Sequence, residues 1–350
     1  MRMRTVLATV TAGLAAATTL TAAGPATATA ATGTSSAHAC SPAVSIDGFS
    51  DALDKTTYEG TFVGNFSALA VDRKGRIAAV SDRSALFTLD ARTLKTLAPT
   101  GVVPLADENG AALDSEGLVV DRDGTRLISS ETEPSVRRYS RDGEILDRLP
   151  VPGALRVAPA GRATTNQTFE GLTLLPGGRT LLAAMEGSLS GDTAGIVRFQ
   201  TWDRKTARGS FRLGDQYGYR TDTGLGVSEA TATPDGRLLV LERGFTAGVG
   251  NTVRLYLADP RRATDTGDVT TLTGQDGVRL VGKTLLADLV NCPSLGATAK
   301  QPQPNPLLDN IEGLAVTGGS RGRLNLLLVS DDNQSAAQTT RFYSLRVRLP

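Results

Sequence analysis

Histidine is almost missing from this chain: among 350 residues there is one, His38. It sits in or beside a leader-like N-terminus, so the folded part beyond it has none. That excludes Ser-His-Asp and Cys-His catalysis, histidine-held zinc, and phosphoryl transfer through a histidine. Any chemistry must run on carboxylates, a metal, Arg or Lys, Tyr or Ser. A long basic stripe is also absent, and the formal net charge is +1. Nucleic acid is therefore not an expected partner. No long amphipathic helix stands out. No second apolar run long enough to span a bilayer follows the N-terminus.

The first residues read as a signal peptide over 1–30. Arg2 and Arg4 form a basic start, Val6 to Ala23 is apolar, and Ala28-Thr29-Ala30 is a small-x-small cleavage site. Residues 31–43 read as a low-complexity linker and 44–350 as one domain, long enough for a large core. The expected location is secreted, outside the cell. In an exported chain the default for Cys40 and Cys292 is one disulfide, with two unpaired thiols as the alternative. Ala37-His38-Ala39-Cys40 lacks the upstream leucine of a lipoprotein site, which argues against a lipid anchor there.

Internal repetition organises the rest. Five segments share a small or acidic residue, an apolar run, a Gly-containing turn, a second apolar run and then acids. They begin at Ser67, Glu116, Glu170, Glu229 and Glu312. Each reads as a β-hairpin whose turn is DRKG, DRDG, PGG, PDG or a late Gly-rich stretch. The apolar runs are nearly continuous, as in strands buried on both faces. A third strand commonly follows, for example PSVRRYS and NTVRLYLAD. This is an all-β chain, and the repeat predicts a β-propeller. The count favours six blades, with five the other possibility. The sixth would come from VTTLTGQDGVRLVGKTLLADLV, and Val44–Phe62 would close the ring. A two-sheet sandwich is the alternative architecture.

Residues equally far from a hairpin turn lie opposite each other. That count pairs Glu116 with Glu131, Glu170 with Glu186, Glu229 with Glu242, Ser67 with Asp82, and Glu312 with Asp331. Every pair then faces one end of the central channel. The expected ring draws on Asp82, Glu116, Glu131, Glu133, Glu170, Glu186, Glu229, Glu242, Glu312, Asp331 and Asp332. Converging carboxylates need protons, arginines or a metal. Ca²⁺ is the expected cofactor, with Glu116, Glu131, Glu170, Glu229, Glu312 and Asp331 as candidate ligands. Taken singly, each of these acids is better read as a solvated strand end.

The ordered motifs resemble the phytase-like family, a group of secreted β-propellers described as having esterase-like activity. They are Glu116-Gly117-Leu118, Glu131-Thr132-Glu133-Pro134, Ala184-Met185-Glu186-Gly187, Leu241-Glu242-Arg243-Gly244, Lys283 through Leu289, and Asp309 through Asn333. The resemblance covers about Phe49 to Val347. It departs where the family has a Ser-Asp-Glu run and this chain has Ser130-Glu131-Thr132-Glu133.

The resemblance implies hydrolysis of a phosphate ester or related ester. Glu116, Glu170, Glu242 and Arg243 are the catalytic candidates. Arg83 and Lys283 are the substrate-binding candidates. The substrate would be a small-molecule ester or phosphate ester, and the protein a monomer. Two rival readings stand beside this: a propeller lactonase or carboxylesterase, and a non-catalytic, Ca²⁺-stabilised binding module.

Overall fold

Turn-forming residues between near-continuous apolar runs build hairpins, and the hairpins gather around one axis. The structure, a computed structural model, describes residues 37–275, 277–320 and 322–350. The leader read over residues 1–30, and the linker as far as residue 36, lie outside the described residues. From Ala37 the linker is pinned: the His38 ring Nδ1 bonds Ile46 O at 2.9 Å, and Ser41 Oγ donates to Leu286 O at 2.6 Å.

The chain begins with strand β1 (Val44–Ser50) and a small ribbon, β2 (Thr56–Tyr58) with β3 (Thr61–Val63). Blade one is β4 (Phe66–Val71), β5 (Ile77–Ser81), β6 (Ala85–Asp90) and β7 (Ala98–Pro104). Blade two is β8 (Ser115–Val120), β9 (Arg126–Ser130), β10 (Ser135–Tyr139) and β11 (Ile145–Arg148). Blade three is β12 (Phe169–Leu174), β13 (Thr180–Met185), β14 (Ile196–Asp203) and β15 (Arg212–Arg220). Blade four is β16 (Gly226–Ala232), β17 (Leu238–Thr246), β18 (Gly250–Asp259) and β19 (Gly282–Asp288). Blade five takes β20 (Ile311–Ser320), β21 (Arg323–Ser330) and β22 (Phe342–Arg348), and β1 completes it as the outer strand.

The innermost strands β4, β8, β12, β16 and β20 pack side by side in a closed ring. Neighbouring blades cover both faces of the second strands, so every residue of β5 and β9 is buried. This is why the apolar runs show little alternation. The close packing explains the Glu-Gly pairs. A Cβ on Gly117 would lie 2.5 Å from Glu170 O, and one on Gly171 would lie 2.3 Å from Ala230 N. Glycine is needed there for backbone approach.

The propeller expectation holds, and the blade count is five rather than six. Of the stretch expected to add a blade, only β19 is a strand, and it is the fourth strand of blade four. The preceding loop instead lies along β15, with Thr266 N donating to Gln216 O at 2.7 Å and Val281 N to Gly218 O at 2.8 Å. Its apolar Leu272 and Val281 are buried there, packed with blade three rather than forming another sheet. The ring is closed by β1 alone, antiparallel to β22 from Val44↔Val347 to Ser50↔Phe342. Cys40 and Cys292 form a disulfide that joins the approach to β1 in blade five to the end of β19 in blade four. No helix among the described residues is long and apolar enough to cross a membrane.

Candidate functional site

Each inner hairpin carries one extra residue on its first strand at the same end of the channel. The register slips between Phe66 and Ala68, Ser115 and Leu118, Phe169 and Leu172, Val227 and Glu229, and Ile311 and Gly313. Such bulges re-aim side chains. Here Ser67, Glu116, Glu170 and Glu312 turn into the channel mouth, beside the acids that end the second strands, Asp82, Glu131, Glu186 and Asp331. They line a cavity of about 550 Å³.

Blade four breaks the pattern by one residue. Ser228 stands where the other blades have Ser67, Glu116, Glu170 or Glu312, and Arg243 stands where they have an acid. Glu229 falls at the glycine position. Its buried carboxylate accepts from Ala230 N at 2.8 Å and from the backbone amides of Leu172 and Leu314, so it joins three inner strands outside the cavity. Glu242 points between blades three and four. It accepts from Tyr219 Oη at 2.6 Å, Asp222 N at 2.7 Å and Lys283 Nζ at 2.5 Å. Lys283 lies between the rings of Tyr219 and Tyr256, at 5.3 and 4.1 Å, and is fully engaged there. Glu229, Glu242 and Lys283 are thus not brought to the cavity. Nor are Glu133, which pairs with Arg148, and Asp332, which pairs with Lys55.

Among the lining residues that the turn count did not reach are Asp114 and Asn310. Each lies two residues before an inner-strand glutamate, Glu116 or Glu312. Asp114 has φ 52, outside the extended region, so strand periodicity does not reach it.

The site is strongly electronegative. Among the described residues eight carboxyl groups line the cavity against two guanidinium groups, Arg83 and Arg243. Burial, then the charges of Glu312 and Glu131, push Glu116 up well above the usual carboxylate range. Burial, then Glu116 and Glu186, do the same to Glu170. Burial raises Glu131 to about 7 against the pull of the Thr168 amide, and raises Asp82 to about 7 with help from Asp331. Arg243 answers part of this charge, with Nη2 3.0 Å from Glu312 Oε1 and 3.8 Å from Glu186 Oε1. Arg83 is more exposed and lies 3.5 Å from Asp82.

Two triads have ligand atoms within 4.8 Å of one another: Asp114, Glu116 and Glu131, and Glu131, Glu170 and Glu186. Glu131 belongs to both. Every donor is a carboxylate oxygen, the set a hard dication takes. Asp82 belongs to neither triad and is paired with Arg83. The residues therefore fit a hard cation on the side of blades two and three, with Arg243 facing it.

The family model described as "Phytase-like: Esterase-like activity of phytase" matches residues 61–334. The chain belongs to the phytase-like family. This phytase-like propeller is also similar to an uncharacterized secreted protein of Arthroderma benhamiae, 30% identical over 122 residues. That match covers 28% of this chain and 23% of the fungal protein, so it spans about a quarter of the relative's length. Among solved structures, a protein of unknown function from Dyadobacter fermentans is 12% identical, with 88% of this chain and 100% of that chain covered and a TM-score of 0.42. A gluconolactonase from Xanthomonas campestris is 15% identical, with 82% and 73% covered and a TM-score of 0.39. An aldose sugar dehydrogenase from Streptomyces coelicolor is 13% identical, with 88% and 99% covered and a TM-score of 0.40.

Proposed function

We propose that this protein is a secreted hydrolase of ester bonds, phosphate esters first, which works at the acidic channel mouth with a bound Ca²⁺. The observation that carries the reading is the pair of carboxylate triads sharing Glu131, with Arg243 beside them. Asp114, Glu116, Glu131, Glu170 and Glu186 would hold the cation. When bound, such an ion polarises a phosphoryl or carbonyl oxygen and lowers the pKa of a water. Arg243, on the cavity wall, brings its guanidinium charge to the oxygen on which negative charge develops. Glu312 and Glu186 hold the guanidinium in place. Secretion is supported by the leader-like N-terminus and by the Cys40–Cys292 disulfide.

The excess of carboxyl groups favours a second reading, a carboxylic ester or lactone, since a neutral substrate meets less repulsion there than a phosphate dianion. Purified protein assayed on p-nitrophenyl phosphate, phytate, p-nitrophenyl acetate and a γ-lactone, with Ca²⁺ and with EDTA, separates the two. Ca²⁺-dependent turnover of the phosphate esters supports the first, and turnover of the carboxylic esters alone selects the second. No turnover on any substrate or metal sinks both and leaves a binding module.

A further inference from the structure

The cavity lining also carries uncharged polar side chains. Asn166, Asn251, Gln301, Asn333 and Gln338 are among them, and each carboxamide offers a donor and an acceptor without charge. Asn251 is 1% exposed, and neither its Oδ1 nor its Nδ2 has a partner within the protein. A buried carboxamide left so is costly. Its backbone is anchored, with N donating to Gln303 Oε1 at 2.8 Å. Gly250 before it has φ 111 and packs so close to the next segment that a Cβ would lie 2.4 Å from Gln303 Oε1 and 2.6 Å from Pro302 O.

Directly across the β17–β18 hairpin, Phe245 is the register partner of Asn251, so both side chains project from one face. Phe245 is 55% exposed on the wall of this polar cavity. It also borders an adjoining cavity of about 570 Å³ between blades three and four, lined by several glycines.

We propose that the blade-four wall is a subsite for the hydroxyl-rich alcohol portion of the substrate, a sugar or polyol ring stacked on Phe245 and hydrogen-bonded by Asn251. A ring hydroxyl donates to Oδ1 and accepts from Nδ2, satisfying both atoms at once. The C–H face of such a ring lies on the aromatic ring, whose apolar body and exposed face suit it. The carboxylates lining the cavity repel a polyanion, so the ring carries few anionic groups. The inference rests on the hydrolytic reading only for which bond is broken.

The test uses the full chain with Ca²⁺ present. Calorimetry and saturation-transfer NMR measure binding of glucose and myo-inositol against 1-propanol, in the native protein and in Phe245→Ala, Phe245→Trp and Asn251→Leu. The ring polyols should bind and propanol should not. Phe245→Ala should weaken polyol binding about fivefold or more, and Phe245→Trp should keep it. Asn251→Leu should weaken it comparably. Phe245 is exposed, so its variants decide the matter if Asn251→Leu does not fold. Polyols binding no better than propanol, or equally well in Phe245→Ala, overturn the proposal. Polyol binding without turnover of any ester leaves it standing and removes the hydrolytic reading alone. Equal kcat/KM on glucose 6-phosphate and propyl phosphate removes this proposal alone.

Discussion

Replacing Glu229 with Gln should change how stability depends on pH. Burial raises this carboxyl to about 8, against the pull of the Ala230, Leu172 and Leu314 amides, from the ordinary glutamate value of 4.5. The folded state therefore holds the proton more tightly than the unfolded chain. The resulting stability is fully present below about pH 4.5 and is lost as pH rises through about 8. Holding the proton up to about pH 8 in the folded state, and only to about 4.5 in the unfolded chain, corresponds to a loss on the order of 5 kcal/mol. Glutamine keeps the shape and an acceptor and has no proton to lose. Urea unfolding at pH 5, 7 and 9 measures both proteins. The channel acids contribute their own slope, so the difference between the two curves is what matters. Glu229→Gln should match the native protein within about 1 kcal/mol at pH 5 and exceed it by several kcal/mol at pH 9. Parallel curves would refute the reasoning. So would a variant weaker at every pH, which would mean that the ionised carboxylate is what ties the three strands.

Lys283→Met should cost about 3–5 kcal/mol, because it leaves the buried Glu242 carboxylate without its cation. Calorimetric melting checks this, and Ca²⁺ binding should be untouched, since the cluster lies outside the cavity. Replacing Cys40 and Cys292 with Ser opens a link across 252 residues. Chain entropy sets its worth at about 5 kcal/mol at most, read from denaturant midpoints with and without reductant. Arg243→Gln removes the guanidinium beside Glu312 and Glu186. Its melting temperature in EDTA should fall below that of the native protein, and added Ca²⁺ should recover part of the difference; no recovery would count against a cation at this mouth.

Hairpins and third strands were legible in the sequence because turn residues and apolar runs are local signals. The blade count was not, because Leu272 and Val281 read as strand residues until β15 is seen to bury them. The acids of blades one, two, three and five could be placed from the turn count, since one added residue on the first strand still leaves both acids at the same mouth. In blade four the same count misleads. The Glu-Ala pair at Glu229 looks like the Glu-Gly pairs elsewhere and lies one residue further on, which sends Glu242 into a blade interface and Arg243 into the channel. Asp114 escaped because it lies before the repeat unit begins. The pairing of Phe245 with Asn251 needed the register of a hairpin longer than the repeat implies.

The central claim is that the carboxylates around Glu131 hold a cation. Isothermal titration of Ca²⁺ into the metal-stripped protein and into Glu131→Gln tests it most directly, since Glu131 belongs to both triads. The account predicts saturable binding that weakens at least about tenfold in the variant, a change of about 1.4 kcal/mol or more. Absence of binding in the native protein, or equal binding in the two, would contradict it.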